Sequence, residues 1–375
     1  MIAITTQTIK SMARGALAVS AVSLIAACSP PPAAKVLADT SERYILTSYH
    51  EFSTTSLQLA EAAAQFCAAP TQSSETFEEV RTQWRRSVIA WSGVQNLQFG
   101  PLLVDNQAWK IQFWPDKKNL IARKVETLLR SEEALDIKRI DDSSVVVQGL
   151  SSLEYLLFDQ AAGKLDSYSN ATGARRCDLL VAVATHLHGV AAGLYDAWRP
   201  EGGDYLHSFI KTGKNNPEYP DDSIALANLL DTLVAGVELI KRDKFERPLG
   251  LDSDTGRAQI YLLEWWRSQY AKEAITANLN SLQTLFNAND GYGLDDYLTD
   301  VKQRGDLSTK IQQGFTSSIA SAKAIPNSLF STAKPREQAE LIAFQSELSQ
   351  LLSLLRTDLP EALGISLGFN AKDGD

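Results

Sequence analysis

The sequence predicts an all-α protein built as two antiparallel helical bundles. Three observations carry that reading. Apolar residues recur at i, i+3 and i+4 over long stretches of the 375 residues, the spacing of one helix face. Strand-like alternation is scarce. Breaks rich in Gly, Pro and Asn separate the periodic stretches, as loops between helices do. Hydrophobic residues make up 44% and charged residues 22%, the composition of a soluble globular body large enough for two bundles. The net charge of −9 argues against nucleic acid as a partner, because a phosphate backbone needs a basic face.

The first segment reads as an address. Residues 1–27 hold Lys10 and Arg14, no acidic residue, and an apolar run over 16–27. A run of about a dozen residues is too short for a membrane span, which needs ~20. A secretory signal fits instead. Its end, Leu24-Ile25-Ala26-Ala27-Cys28, resembles the bacterial lipobox. That resemblance implies cleavage before Cys28 and lipidation of its sulfur, tethering the chain to a membrane. Ser29 in place of aspartate after the cysteine implies the outer membrane, with the body facing the periplasm. Residues 28–38 then serve as the lipidated cysteine and a linker stiffened by Pro30, Pro31 and Pro32. Folded structure is expected from about Asp39. In an oxidising compartment the two remaining cysteines, Cys67 and Cys177, are expected to form a disulfide. No CxxC spacing suggests zinc.

Helices follow in order. Residues 40–66 carry Tyr44, Phe52 and Phe66. Residues 75–98 start from a Ser73/Ser74 cap and run through Phe77, Trp84, Val88 and Trp91, with Gly100-Pro101 as the stop. Asp116 is the expected N-cap of a helix over 117–131. Residues 143–158 open at Asp142, Ser143 and Ser144 and hold Val145, Val146 and Val147. A strand there would have no partner, so a buried helix is expected. Helices over 175–198 and 223–242 flank a polar loop. The loop around Arg247-Pro248-Leu249-Gly250 is the expected domain boundary, dividing a first bundle (39–250) from a second (251–375). Helices over 257–287, 294–323 and 336–357 complete the second.

Few groups point to chemistry. The histidines, His50, His186, His188 and His207, form no helical chelating pair, since positions two apart diverge by ~200°. HExxH and Gly-x-Ser-x-Gly are both missing. Glu154 is the unusual residue, a carboxylate among Leu153, Leu156 and Leu157. Buried, it needs a partner such as Arg267, Arg86 or a bound cation. On a helix over 257–287, Glu264, Arg267 and Ser268 share one face. Trp91, Gln95, Trp109 and Trp114 add aromatic and amide groups.

Several stretches together resemble the imelysin-like family. They are Trp91-Ser92-Gly93-Val94-Gln95 to Phe99-Gly100-Pro101, Phe113-Trp114-Pro115-Asp116, Val147-Gln148-Gly149-Leu150-Ser151-Ser152-Leu153-Glu154, Glu264-Trp265-Trp266-Arg267-Ser268, Asn278-Leu279, and Leu363-Gly364-Ile365 to Gly368-Phe369-Asn370. The resemblance implies two related helical bundles and a part in iron uptake alongside transporter components. Its signature, Gly-x-His-x-x-Glu, falls on Gly149 to Glu154, with Ser151 where the family has histidine. A neutral hydroxyl is a poor ligand for zinc or iron beside imidazole. The expected site is a pocket between the bundles near Trp91, Gln95, Ser151, Glu154, Glu264, Arg267 and Ser268, with Glu154 as the metal ligand. Iron or another divalent cation is the implied cofactor. Asp373 and Asp375 are further oxygen donors. A binding or accessory role is expected, and no catalytic residue is assigned. The alternatives are an envelope metallopeptidase, which the lost histidine disfavours, and a structural partner of an outer-membrane transporter.

Overall fold

The computed structural model of the chain describes residues 30–332 and 334–366. The signal segment, Cys28, and the C-terminal stretch with Asp373 and Asp375 lie outside them. Among the described residues every regular element is helical and none is a strand. The described residues from Pro31 on form one compact unit.

Folded structure starts before Asp39. A helix spans Pro32–Thr40, with Pro32 in the first turn, where its missing N–H leaves nothing unpaired. Val36 and Leu37 on it are fully buried. The expected linker therefore ends at Pro31. A π-helical turn, Ser41–Ile45, carries the chain without a break into Leu46–Ala68. The Ser74–Val94 helix begins as expected, with the Ser73 hydroxyl accepting the Thr76 N–H at 3.1 Å. It ends well before Gly100-Pro101, in tight turns where the Leu97 N–H reaches back to Val94 O (3.0 Å). Gly100 instead opens a 3-10 segment, Gly100–Asn106.

The valines 145–147 form a 3-10 turn rather than a strand, followed by the buried helix Gly149–Phe158. Gly149 is required there twice over. Its φ is +66°, and a Cβ would lie 2.1 Å from Ile111 O. The Asp222–Glu238 helix continues through a π-helical segment, Leu239–Glu246, to Leu249, and stops at Gly250 in the left-handed region. The loop expected from Arg247 thus begins at Gly250.

The largest departure falls on 257–287. Only Ala271–Phe286 is α-helical. Ile260–Leu262 is a 3-10 turn, and Trp265 and Gln269 between them sit at φ +55° and +57°. Glu264, Arg267 and Ser268 therefore do not share a helix face. Further on, 294–323 divides into Leu294–Asp300 and Gly305–Ala324, and the last helix, Ala339–Ser353, again runs into a π-helical turn.

Leu46–Ala68 packs on Ser74–Val94 and on Gly173–Trp198, which also covers Gly149–Phe158. Ala271–Phe286 packs on Gly305–Ala324, and that helix packs on Ala339–Ser353. Asp222–Glu238 lies against Ala271–Phe286 and Ala339–Ser353. The two groups meet where Ser74–Val94 packs on Ala271–Phe286.

Cys67 and Cys177 are bonded, with Cα atoms 5.4 Å apart across a sequence separation of 110. The bridge ties Leu46–Ala68 to Gly173–Trp198. A loop of that length stabilises by about 4–5 kcal/mol through lost entropy of the unfolded chain. Replacing both cysteines by serine is expected to lower the urea unfolding free energy by about that amount. An unchanged urea midpoint would contradict this.

Candidate ligand-binding site

A buried ion pair lies where the two groups of helices meet. Lys244 is fully buried and Glu264 is 1% exposed. The Lys244 ammonium donates to Glu264 Oε2 (2.8 Å), Gln95 Oε1 (2.6 Å) and Asn278 Oδ1 (2.6 Å). Burial pushes the lysine pKa down, and the Glu264 charge pushes it back up. Three acceptors around one nitrogen call for three N–H donors, which only the ammonium has. Glu264 Oε1 accepts from Gln112 Nε2 (2.7 Å) and Gln95 Nε2 (3.1 Å). Gln112 Oε1 in turn accepts from the Trp91 indole N–H (2.6 Å) and from Gln95 Nε2 (2.8 Å). Asn278 donates to Ser92 O (2.9 Å).

Of these, Trp91, Gln95 and Glu264 are expected from the sequence, but not as one cluster with Lys244. In a helix of ordinary winding, the run Lys241-Arg242-Asp243-Lys244 reads as a solvated face. The wider π-helical turn over Leu239–Glu246 allows Lys244 to enter the core while Arg242 and Asp243 stay half-buried. Gln112 and Asn278 carry no signal beyond being amides.

Glu154 belongs to a second, smaller cluster. It is 3% exposed, and its Oε1 accepts from both the Ser268 N–H (3.0 Å) and the Ser268 hydroxyl (2.8 Å). Burial pushes its pKa up, against the Ser268 hydrogen bonds and the Arg267 charge. The carboxyl thus fastens the turn after Trp265. Arg267 itself is directed elsewhere, to Asp159 Oδ2 (3.2 Å) and Asn119 Oδ1 (2.6 Å), with its guanidinium 4.4 Å from the Trp266 ring centroid. Ser151, Glu154 and Trp265, whose indole N–H has no partner, are among the residues lining a void of about 20 Å³. Such a void holds one water and no larger guest.

The metal implied by the family signature does not fit this cluster. Ser151 replaces the imidazole, and Glu154 Oε1 is occupied by two donors. Among the described residues no three His, Cys, Asp or Glu side chains gather to hold an ion. The expected pocket at Ser151, Glu154, Arg267 and Ser268 is reduced to that small void, with Glu154 paired to Ser268 and Arg267 turned to Asp159 and Asn119. The histidines are dispersed: His50 on Tyr195, His186 on Asp141, His188 on Ser56 and His207 on Asp204.

The open space lies on the other side of Gln112. A cavity of about 530 Å³ has Trp91, Gln95 and Gln112 as one wall and Trp109, Trp114 and Leu262 as another. Arg242, Asp243, Arg247 and Lys117 also line it. Its size falls within the ~300–1,000 Å³ of small-molecule sites. Asp116 is not the N-cap residue, a position Asn119 holds, but its carboxylate reaches forward and accepts the Leu120 and Ile121 N–H groups at 2.7 and 3.0 Å. The helix itself starts at Leu120, not 117.

The chain belongs to the imelysin family: the family model, described as Imelysin, matches residues 45–355. Two solved structures share the fold. An imelysin-like protein from Psychrobacter arcticum 273-4 superposes with a TM-score of 0.75 at 21% identity, covering 90% of this chain and 97% of that one. A protein from Parabacteroides distasonis ATCC 8503, described as an iron-regulated protein A precursor, gives 0.73 at 14% identity with the same coverage. No curated protein matches the sequence.

The Glu154 cluster yields a pH prediction. Its folded pKa is raised, so the protein takes up a proton there on folding. The resulting stability is full below the unfolded pKa of ~4.3 and is lost as pH rises through the folded value. Glu154→Gln keeps the Oε1 acceptor and removes the titration. It is expected to be at least as stable as the parent at neutral pH, with less stability lost between pH 4 and 8 in urea unfolding. A destabilised Glu154→Gln at neutral pH would mean the carboxylate charge is used, by an ion or a cationic partner.

Proposed function

We propose that this protein is an extracytoplasmic, lipid-tethered binding protein of iron acquisition, and that its ligand occupies the cavity beside Gln112. The cavity carries the reading. It is a space of ligand size, it shares Gln112 and Trp114 with the small void at Ser151 and Glu154, and its Gln95 and Gln112 are held in place by the Lys244–Glu264 network. A wall fixed by buried hydrogen bonds is already in place before a ligand arrives. The iron connection is supported by family membership and by the neighbour described as an iron-regulated protein A precursor. Tethering through Cys28 is supported by the lipobox-like segment, and an oxidising compartment by the Cys67–Cys177 bridge. Binding rather than peptide hydrolysis is the role favoured by the closed Glu154 cluster, whose donor set suits no catalytic metal. A tethered binder of this kind would hand its ligand to membrane uptake components.

Tryptophan fluorescence provides the test, because Trp91, Trp109 and Trp114 line the cavity. Full-length protein is titrated with ferric citrate, ferrioxamine B, haem and zinc chloride. Saturable quenching by at least one iron complex is expected, and Ala108→Trp, which fills the cavity, should abolish it. Quenching by none of them, or quenching indifferent to Ala108→Trp, would contradict the reading. So would stoichiometric zinc binding lost in Glu154→Ala.

A further inference from the structure

We propose that the cavity recognises a compact organic anion of the hydroxycarboxylate class, alone or as its metal chelate; the inference rests on the cavity being the ligand site.

The polar groups around the cavity show which contacts remain for a ligand. Gln95 and Gln112 are committed to Lys244, Glu264 and each other. The Trp91 N–H is donated to Gln112, and the Trp114 N–H to Leu262 O at 2.9 Å. These two indoles therefore offer ring carbon and no donor. Asn96 differs. It lines the cavity, is 3% exposed, and neither its Nδ2 nor its Oδ1 has a partner. A buried amide left unpaired on both atoms is costly in the free protein, and a ligand that pairs both removes that cost. Gly236 is the neighbour that admits it, since a Cβ there would lie 3.3 Å from Asn96 Cγ and closer still to Leu282.

Charge narrows the class. Lys117, Arg242 and Arg247 line the cavity against one carboxylate, Asp243. Asp243 bridges both arginines, at 2.7 Å to Arg247 Nη1 and 3.3 Å to Arg242 Nη2. Glu238, 3.8 Å from Arg242, is shared with Arg356. The Arg242 Nε–H is buried without a partner. A chain of net charge −9 thus lines this cavity with a cationic excess. A fully ionised oxoanion could satisfy Arg242 and Lys117 but would give Asn96 Oδ1 no donor. A carboxylate beside a hydroxyl answers both: oxygen to the guanidinium and to Asn96 Nδ2, and hydroxyl hydrogen to Asn96 Oδ1; in the metal chelate, where the hydroxyl oxygen is bound to the metal and carries no hydrogen, a metal-bound water of the ligand is the donor. Trp109, 46% exposed, can cover the less polar part of such a molecule.

Isothermal titration of the full-length protein in detergent tests this, with ferric citrate, citrate, sulfate as the fully ionised oxoanion, and the cationic chelate ferrioxamine B as probes. Ferric citrate or citrate should bind. Asn96→Leu and Arg242→Gln should each weaken it by about tenfold or more. Arg242→Lys, which keeps the charge and loses the Nε donor, should fall between. Affinity should drop as salt is raised. Tighter binding of ferric citrate than of citrate identifies the chelate as the source, and equal binding identifies the free acid; either supports the class. Ferrioxamine B or sulfate binding as tightly as citrate would overturn the proposal while leaving the cavity a ligand site. So would melting-competent Asn96→Leu and Arg242→Gln proteins that bind citrate like the parent. Binding of none of the probes would overturn this proposal, and failure with haem as well would overturn the broader reading.

Discussion

The Lys244–Glu264 pair is the contact on which the rest of this structure depends. Two opposite charges without solvent access sit 2.8 Å apart. Removing charges from water costs several kcal/mol per ion, so neither could stay ionised there alone. Each is also hydrogen-bonded to amides from separate parts of the chain: Gln95 after the Ser74–Val94 helix, Gln112 beyond the 3-10 segment, and Asn278 in Ala271–Phe286. One ion pair thereby holds five segments in register. It fixes where the Leu239–Glu246 segment lies against the turn that follows Leu263. Trp91, held by Gln112, and the two glutamines then form a preformed cavity wall.

The family signature has a structural use in this chain. Gly149 lets the Gly149–Phe158 helix begin against the carbonyls of Lys110 and Ile111, where a side chain would collide. The Trp84 indole N–H donates to Leu150 O at 3.0 Å and anchors the same turn. Five residues after Gly149, Glu154 accepts both donors of Ser268 and closes the turn that carries Trp265. Trp265 packs edge-on against Trp84, with ring centroids 5.3 Å apart. Signature, turn and aromatic pair therefore form one closed unit, and Ser151 fits it because a hydroxyl needs less room than an imidazole. The same turn places Glu264 on the far side, facing Lys244. The small closed cluster and the open cavity are two sides of one segment.

Much of this architecture was readable from residue patterns. The periodicity through Phe77, Trp84, Val88 and Trp91 marks a core helix, and the Ser73 cap places its start. Two cysteines left over behind a lipobox-like segment point to the bridge that Cys67 and Cys177 make. Glu154 stands out as a carboxylate among leucines, and Ser268 and Arg267 are rightly placed near it. Helical periodicity misleads over 257–287 because Trp265, Trp266 and the leucines keep an amphipathic spacing while the backbone turns. The conformation there is set by long-range partners, Glu154 and Trp84, that no local pattern encodes. Lys244 was hidden for a related reason. Its inward direction follows from π-helical winding, and within Lys241-Arg242-Asp243-Lys244 nothing in the residue types separates the one buried cation from its solvated neighbours. Asn96 and Arg242 are invisible for want of any motif; only accounting for every buried donor and acceptor brings them out.

A double-mutant cycle on Lys244→Met and Glu264→Gln, read by urea unfolding, tests the central claim most directly. Each single change strands a buried charge or leaves its acceptors unpaired. Each should cost roughly 3–5 kcal/mol, with the double variant well short of their sum and a coupling of ~2 kcal/mol or more. Losses below about 1 kcal/mol that simply add, as for a solvated surface pair, would contradict the account.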